Sequence, residues 1–189
     1  MFDIVFNRDL VGKSKALGFK EVFCLDKALV IKTEKKEEVI RKVSSFHSKN
    51  IPVIILGSAD EINRMAVEDK RASMLLNPEE TRKKDFMHWK NSGLNHVLCR
   101  LAAQNNVKIG ISFSSLADLK GRDRASRLGR IMQNIVLCRK YKTKMLIASF
   151  AESEAELLSP YELKSLALTL GMTPAQANQS LETAKEIFS

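Results

Sequence analysis

The sequence predicts an α/β fold, a small TIM-like (β/α) barrel of about seven strands, and three observations carry that expectation. Short β-branched runs alternate with helical patterns from one end of the chain to the other, which calls for a parallel sheet with right-handed crossovers. About seven such runs can be counted. At 189 residues the chain is long enough to bury roughly 70% of its unfolded surface in one core without staples. A doubly wound sheet satisfies the same alternation. The number of short strands favours a small or incomplete barrel, although the chain is below the usual barrel length. With no internal repeat or low-complexity tract, residues 1–189 read as a single domain.

Phe2 to Phe6 reads as the first strand, Val22 to Leu25 as the second and Leu29 to Lys32 as a third after a short turn. Residues 35 to 49 form a helix capped near Thr33 and rich in early Glu. Ile51 to Leu56 is a buried strand, and the helix after it has its start signal at Ser58 or Asp60. Met74 to Leu76 is a strand ended by Asn77-Pro78, followed by a polar loop over about 77 to 92. Leu94 to Gln104 is an amphipathic helix, Lys108 to Phe113 a strand, Asp123 to Tyr141 a basic helix and Lys144 to Ser149 the last strand. Two helices close the chain, announced by Ser159-Pro160 and Thr173-Pro174, since Pro fits the first helical turn and Ser or Thr caps it.

The net charge of +9 is unevenly spread. Residues 120 to 144 hold Lys120, Arg122, Arg124, Arg127, Arg130, Arg139, Lys140, Lys142 and Lys144 against Asp123 alone. The segment behind it is acidic. Within the basic helix, Ala125, Leu128, Ile131, Met132, Ile135 and Val136 define a buried stripe, while Arg124, Arg127, Arg130 and Asn134 line another face. Cations in the first turns of a helix oppose its dipole by about 0.3–1 kcal/mol each, so anions from a partner, phosphates above all, would complete the arrangement. A solvated basic face is the competing reading. Because functional loops of these folds gather at the C-terminal ends of strands, the arginines that follow the Lys108 strand belong at that rim, and Lys140 to Lys144 at the opposite one.

A second basic group, Arg82-Lys-Lys84, precedes Phe86, His88, Trp89 and Lys90. Basic residues interleaved with aromatics grip a nucleic-acid backbone and stack on an unpaired base. The reading favoured for Trp89 is structural, as an anchor of the long loop on the core.

Catalytic chemistry is thin. His47, His88 and His96 are the only histidines, with no HxH, HExxH or acidic cluster spaced for a metal, and neither GxGxxG nor a Walker loop is present. His47 reads as a surface residue of its helix and His96 as part of a packed helix. Gly110-Ile-Ser-Phe-Ser114 is not a nucleophile elbow. Asp3, Asp9 and Asp26 form a weak carboxylate candidate. No cofactor is expected. Cys24, Cys99 and Cys138 form no CxxC pair and read as small buried residues in a reducing cytoplasm. Neither a signal peptide nor a membrane span is expected, and Asn178-Gln-Ser180 is a coincidental glycosylation match.

The run Ser92-Gly-Leu-Asn-His-Val-Leu-Cys-Arg-Leu-Ala-Ala-Gln-Asn-Asn-Val-Lys-Ile-Gly-Ile-Ser-Phe-Ser-Ser115 resembles the central helix and strand of the ribonuclease P protein component 3 family, archaeal relatives of the thirty-kilodalton eukaryotic subunit. Arg139-Lys-Tyr-Lys-Thr-Lys-Met-Leu-Ile-Ala-Ser149 is similar to that family's approach to its last strand. Glu156-Leu-Leu-Ser-Pro-Tyr-Glu-Leu163 with Leu170-Gly-Met172 is similar to its C-terminal signature. The resemblance implies a barrel related to the polymerase and histidinol phosphatase metal hydrolases. It implies membership of the ribonucleoprotein that removes the 5′ leader from precursor tRNA, with the RNA subunit carrying the catalytic metal ions. The implied partners are ribonuclease P RNA, precursor tRNA within the complex, protein component 2 and other protein subunits. At Asp3-Ile-Val-Phe-Asn7 the sequence departs from the histidine-rich motif of the metal-hydrolase relatives, so a noncatalytic chain is expected. A metal-dependent phosphoesterase on the same barrel is the alternative. The RNA-binding residues the resemblance points to, together with the charge count, are Arg100, Arg122, Arg124, Arg127, Arg130, Arg139 and Lys140.

Overall fold

The computed structural model describes residues 1–45, 51–81 and 83–188. His47, Arg82 and the end of the helix expected over 35 to 49 lie outside the described residues.

Five strands form one parallel sheet in the order β3 (Leu29–Ile31), β4 (Val53–Leu56), β5 (Ala72–Leu76), β6 (Lys108–Ser112) and β7 (Met145–Ala148). β1 (Phe2–Val5) and β2 (Glu21–Cys24) pair parallel beside it. Each strand is followed by helix or loop: α1 (Val11–Ala16) after β1, α2 (Lys36–Ser45) after β3, α3 (Asp60–Glu68) after β4 and α4 (His96–Gln104) after β5. α5 (Ser114–Ala117) and α6 (Gly121–Tyr141) follow β6, and α7 (Pro160–Thr169) and α8 (Pro174–Phe188) follow β7. This α/β arrangement is consistent with a TIM-like barrel.

The strands are apolar on both sides because both sides are covered, as parallel sheets require. Ile55, Leu75, Ile109, Ile111 and Ile147 pack under the helices. Ile4, Ile54, Met74, Leu76, Leu146 and Phe150 fill the other side together with Ile187 of α8. Phe188 extends this second cluster by stacking on Phe23 at 4.8 Å between centroids. Gly110 sits where the filling is tightest: a Cβ there would lie 2.7 Å from Met74 Sδ and 2.9 Å from Leu76 Cδ1.

The two sheets are joined through β1 and the chain just past β7. Phe150 N donates to Ile4 O at 2.7 Å, and Val5 bridges Ala151. Asp3 faces the helix side and reinforces this seam, accepting from Ser149 N (2.7 Å), Ser149 Oγ (2.7 Å) and Ser14 Oγ (2.9 Å). Burial raises its carboxyl above the ordinary range, while the bonds from Ser149 and Ser14 pull the other way.

The expected strands and long helices are present with ends shifted by one or two residues. Three local expectations need correction. The start of α3 is not capped by Ser58 or Asp60: the Ser58 hydroxyl turns to Thr33 O, and Ala59 occupies the cap position. α4 begins at His96 rather than Leu94, because Asn95 accepts from both Val97 N and Leu98 N. α1 and α5 lay in stretches without apolar periodicity; α1 buries only Ser14. Cys24, Cys99 and Cys138 are buried free thiols, as expected. No helix among the described residues is long and apolar enough to cross a membrane.

Candidate nucleic-acid interface

α6 is 21 residues long, about 31 Å, and carries Arg122, Arg124, Arg127, Arg130, Arg139 and Lys140 against Asp123 alone. Of the stripe expected to be buried, Ile131 and Ile135 are buried and Cys138 extends them, whereas Ala125, Met132 and Val136 are exposed, because the helix turns only a narrow face to the core. A loop over 77–95, leaving the C-terminal end of β5, folds across the first half of the helix. Asn77 starts it with φ 52°, and Gly93 ends it with φ 74°, where a Cβ would collide with Pro78 O at 1.8 Å. From α3, the Asn63 amide donates to Pro78 O (2.9 Å) and Gly93 O (3.1 Å), drawing the two ends of the loop together.

The face expected to wait for phosphates is largely covered by this loop. Arg130, only 9% exposed, donates Nε to Asp85 Oδ1 (2.8 Å), Nη1 to Thr81 O (3.0 Å) and Glu79 O (3.3 Å), and Nη2 to Lys83 O (2.6 Å). Arg127 pairs with Glu80 at 2.8 Å. Asn134 donates to Ser92 O at 2.9 Å, and Gln133 both donates to Lys90 O (2.8 Å) and accepts from Lys90 N (3.0 Å). The anions that offset Arg127 and Arg130 are therefore the protein's own carboxylates. Burial would raise Asp85, but hydrogen bonds from Asn91, Ser126 and Arg130 outweigh it and hold its pKa at about 2. Glu79 is buried without a nearby compensating bond to Oε1, and burial pushes its pKa up to about 7.

Arg122 and Arg124 are different. Both are exposed on the first turn of α6, and neither has a carboxylate partner among the described residues. Exposed Lys120 precedes them. With Lys83, Lys84 and Phe86 of the loop, Arg122 lines a groove of about 990 Å³. The remaining expected residues lie elsewhere. Arg139 bonds Gln176 Oε1 (3.1 Å) and Gly171 O, clipping the end of α6 to the turn between α7 and α8. Arg100 and Lys140 flank the Tyr141 ring at 5.2 and 5.7 Å. Eighteen residues of helix, about 27 Å, separate Lys140 from Arg122. The seven residues thus form four groups rather than one patch. At the opposite rim, Lys144 pairs with Glu186 of α8 at 2.7 Å.

Trp89 does not anchor the loop. It is 59% exposed, beside Phe86 at 56% and Met87 at 92%, and the anchoring falls to Arg130, Gln133 and Asn134 instead. The acids Glu80 and Asp85, standing in the loop against a basic helix, were the sequence signal for that pairing. The carboxylates considered for catalysis are dispersed: Asp3 is in the seam, Asp26 pairs with Arg8 (3.4 Å), and exposed Asp9 donates its N–H to Asn7. Among the described residues, no three His, Cys, Asp or Glu gather as a metal site.

A family model described as RNase P subunit p30 matches residues 28–189. Ribonuclease P protein component 3 of Methanocaldococcus jannaschii is 32% identical over 186 residues, 98% of this chain and 77% of the relative. The protein of that name from Methanosarcina acetivorans is 29% identical over 177 residues, 94% of this chain and 71% of the relative. A chain in the cryo-EM structure of archaeal ribonuclease P with mature tRNA superposes with a TM-score of 0.74 at 30% identity, covering 100% of this chain and 79% of that one.

Proposed function

The chain belongs to the RNase P subunit p30 family, and on that premise we propose that it is a protein subunit of ribonuclease P that binds and shapes the catalytic RNA through the start of α6. The observation that carries the interface is the selective pairing of the arginines. Carboxylates are at hand and satisfy Arg127 and Arg130, while Arg122 and Arg124 stand exposed against the helix dipole with no carboxylate partner among the described residues. Guanidinium forks bind phosphate bidentately, and each contact releases counterions from the crowded RNA backbone. Neutralising that backbone favours the compact, active RNA at lower magnesium.

In this reading the seven cations divide their work. Arg122 and Arg124 contact phosphate, with Arg100 and Lys140 offering a second point of contact on the far flank of α6. Arg127 and Arg130 hold the loop that borders the site, and Arg139 fixes the end of the helix. The chain works as one domain, 1–189, on a barrel related to those of the polymerase and histidinol phosphatase hydrolases, within the cytoplasm. It is itself noncatalytic: leader removal from precursor tRNA belongs to the RNA subunit, and the assembly includes protein component 2 and other protein subunits. The phosphoesterase alternative finds no support, since its carboxylates are spent on the seam and on Arg8.

Reconstitution tests the proposal. Precursor tRNA cleavage by the RNA is measured across magnesium concentrations with the parent chain and with Arg122→Ala/Arg124→Ala. The double variant is expected to demand more magnesium for the same rate. A magnesium profile identical to the parent's would exclude these arginines as the RNA contact.

A further inference from the structure

The tip of the 77–95 loop is an apolar turn in a cationic setting. Phe86 N donates to Trp89 O at 3.0 Å, closing the turn, and the Phe86 and Trp89 rings lie 5.0 Å apart at 46°. With Met87 they project into solvent rather than toward the core. Such exposure of three large apolar side chains costs solubility unless something covers them. Around them stand Lys84 and Lys90 on the loop and Arg122 across the groove. Asp85 is the nearby acid; it is engaged by Arg130, Ser126 and Asn91 and also pairs with Lys90 at 3.4 Å.

The turn is also held still. Gln133 grips both backbone groups of Lys90, and Arg130 takes three carbonyls of the segment that leads into the turn. A rigid platform binds with little ordering cost, which distinguishes it from a floppy hydrophobic tip.

We propose that the Phe86–Trp89 turn is a stacking site for an unpaired RNA base, with Lys84 and Arg122 holding the phosphates on either side of that base. The proposal rests on the RNA reading of α6 and adds a ligand chemistry to it. Charge complementarity selects the occupant: an apolar ring system flanked by Lys84 and Arg122, neither with a carboxylate partner among the described residues, suits a polyanion that carries π-faces, and single-stranded nucleic acid supplies both along one chain. An apolar protein surface would leave the cations without counter-charge.

Trp89 is the sole tryptophan, so its fluorescence reports directly on the turn. The full chain is titrated with a short oligoadenylate and with an abasic oligomer of equal length, binding being followed in parallel by mobility shift. Oligoadenylate should quench Trp89 and bind more tightly than the abasic oligomer. Trp89→Ala should weaken oligoadenylate binding roughly 5- to 100-fold while leaving abasic binding unchanged, and Trp89→Phe should recover most of the loss. Equal binding of both oligomers with no fluorescence change would overturn the stacking site while leaving the phosphate contacts of α6 standing. Failure of either oligomer and of ribonuclease P RNA to bind would remove the RNA reading itself. Quenching by purified protein component 2 but not by RNA would assign the turn to a protein interface and overturn the proposal.

Discussion

Replacing Arg130 with Ala should detach the 77–95 loop from α6 without unfolding the parallel sheets. The substitution deletes an ion pair to Asp85, whose side chain is 15% exposed, and donors to the carbonyls of Glu79, Thr81 and Lys83. Removing one member of a buried ion pair costs about 3–5 kcal/mol, because the partner charge is left uncompensated. The carbonyls, buried or half-buried beneath the arginine, recover water once the loop lifts, so they add little to that figure. A loss of about 4 kcal/mol is a large share of the roughly 5–15 kcal/mol that holds a domain folded, and for a chain of this size it lowers Tm by roughly 8–16 °C. Urea unfolding gives the stability, and amide exchange over the loop identifies where it was lost. Asp85→Ala should cost a comparable amount, and the double variant far less than the two losses added, since both act on one contact. The same contact weakens as pH falls through about 2, where Asp85 takes up its proton. If Arg130→Ala unfolds with the parent and its loop amides stay protected, the arginine is no anchor and its face is open to solvent after all.

Arg122→Ala and Arg124→Ala, by contrast, should leave stability within about 0.5 kcal/mol and each reduce the slope of log affinity against log salt by roughly 0.7 for a single-stranded contact; an unchanged slope would mean that neither touches phosphate. Glu79→Gln should remove a pH trend. With its pKa near 7 in the folded chain and 4.5 ordinarily, Glu79 favours folding only while protonated, so the parent loses about 3 kcal/mol between pH 4.5 and 7. The variant lacks that slope and should gain on the parent as pH rises to 8; a constant difference across pH would locate the cause elsewhere. At the seam, Asp3→Ala strips the acceptor from Ser149 N and two hydroxyls and should cost about 2–3 kcal/mol. Asp3→Asn, which keeps one carbonyl oxygen, should cost clearly less by urea midpoint, and equal losses would refute the hydrogen-bond account.

The elements that sequence made legible were those built by periodic burial or by a strong cap. Ile54 and Ile109 lie in strands buried on both faces, and the Ser159–Glu162 capping box marks the start of α7. α1 escaped because a six-residue helix with a Gly and two Lys has no apolar face to betray it. The site was legible in charge but not in pairing. Counting cations located α6, yet whether Arg124 and Arg130 share a fate depends on a loop contributed from about 45 residues upstream, a tertiary fact invisible to helical spacing. Trp89 was misjudged for the same reason: large aromatics are mostly buried, and only the folded loop reveals that Gln133 and Asn134 had taken over its anchoring.

Asn63 gives the loop a further property. Because one amide from α3 fastens both Pro78 and Gly93, the two ends of the loop leave the fold at one point, while Arg127, Arg130, Gln133 and Asn134 of α6 tie down the stretch between. Closure entropy rises slowly with loop length, so residues can be added at the Phe86–Trp89 tip, beyond those ties, at little expense to the core. An engineer can transplant that stretch between relatives by cutting at the same two points, provided that the α6 residues which hold it, Arg127, Arg130, Gln133 and Asn134, travel with it.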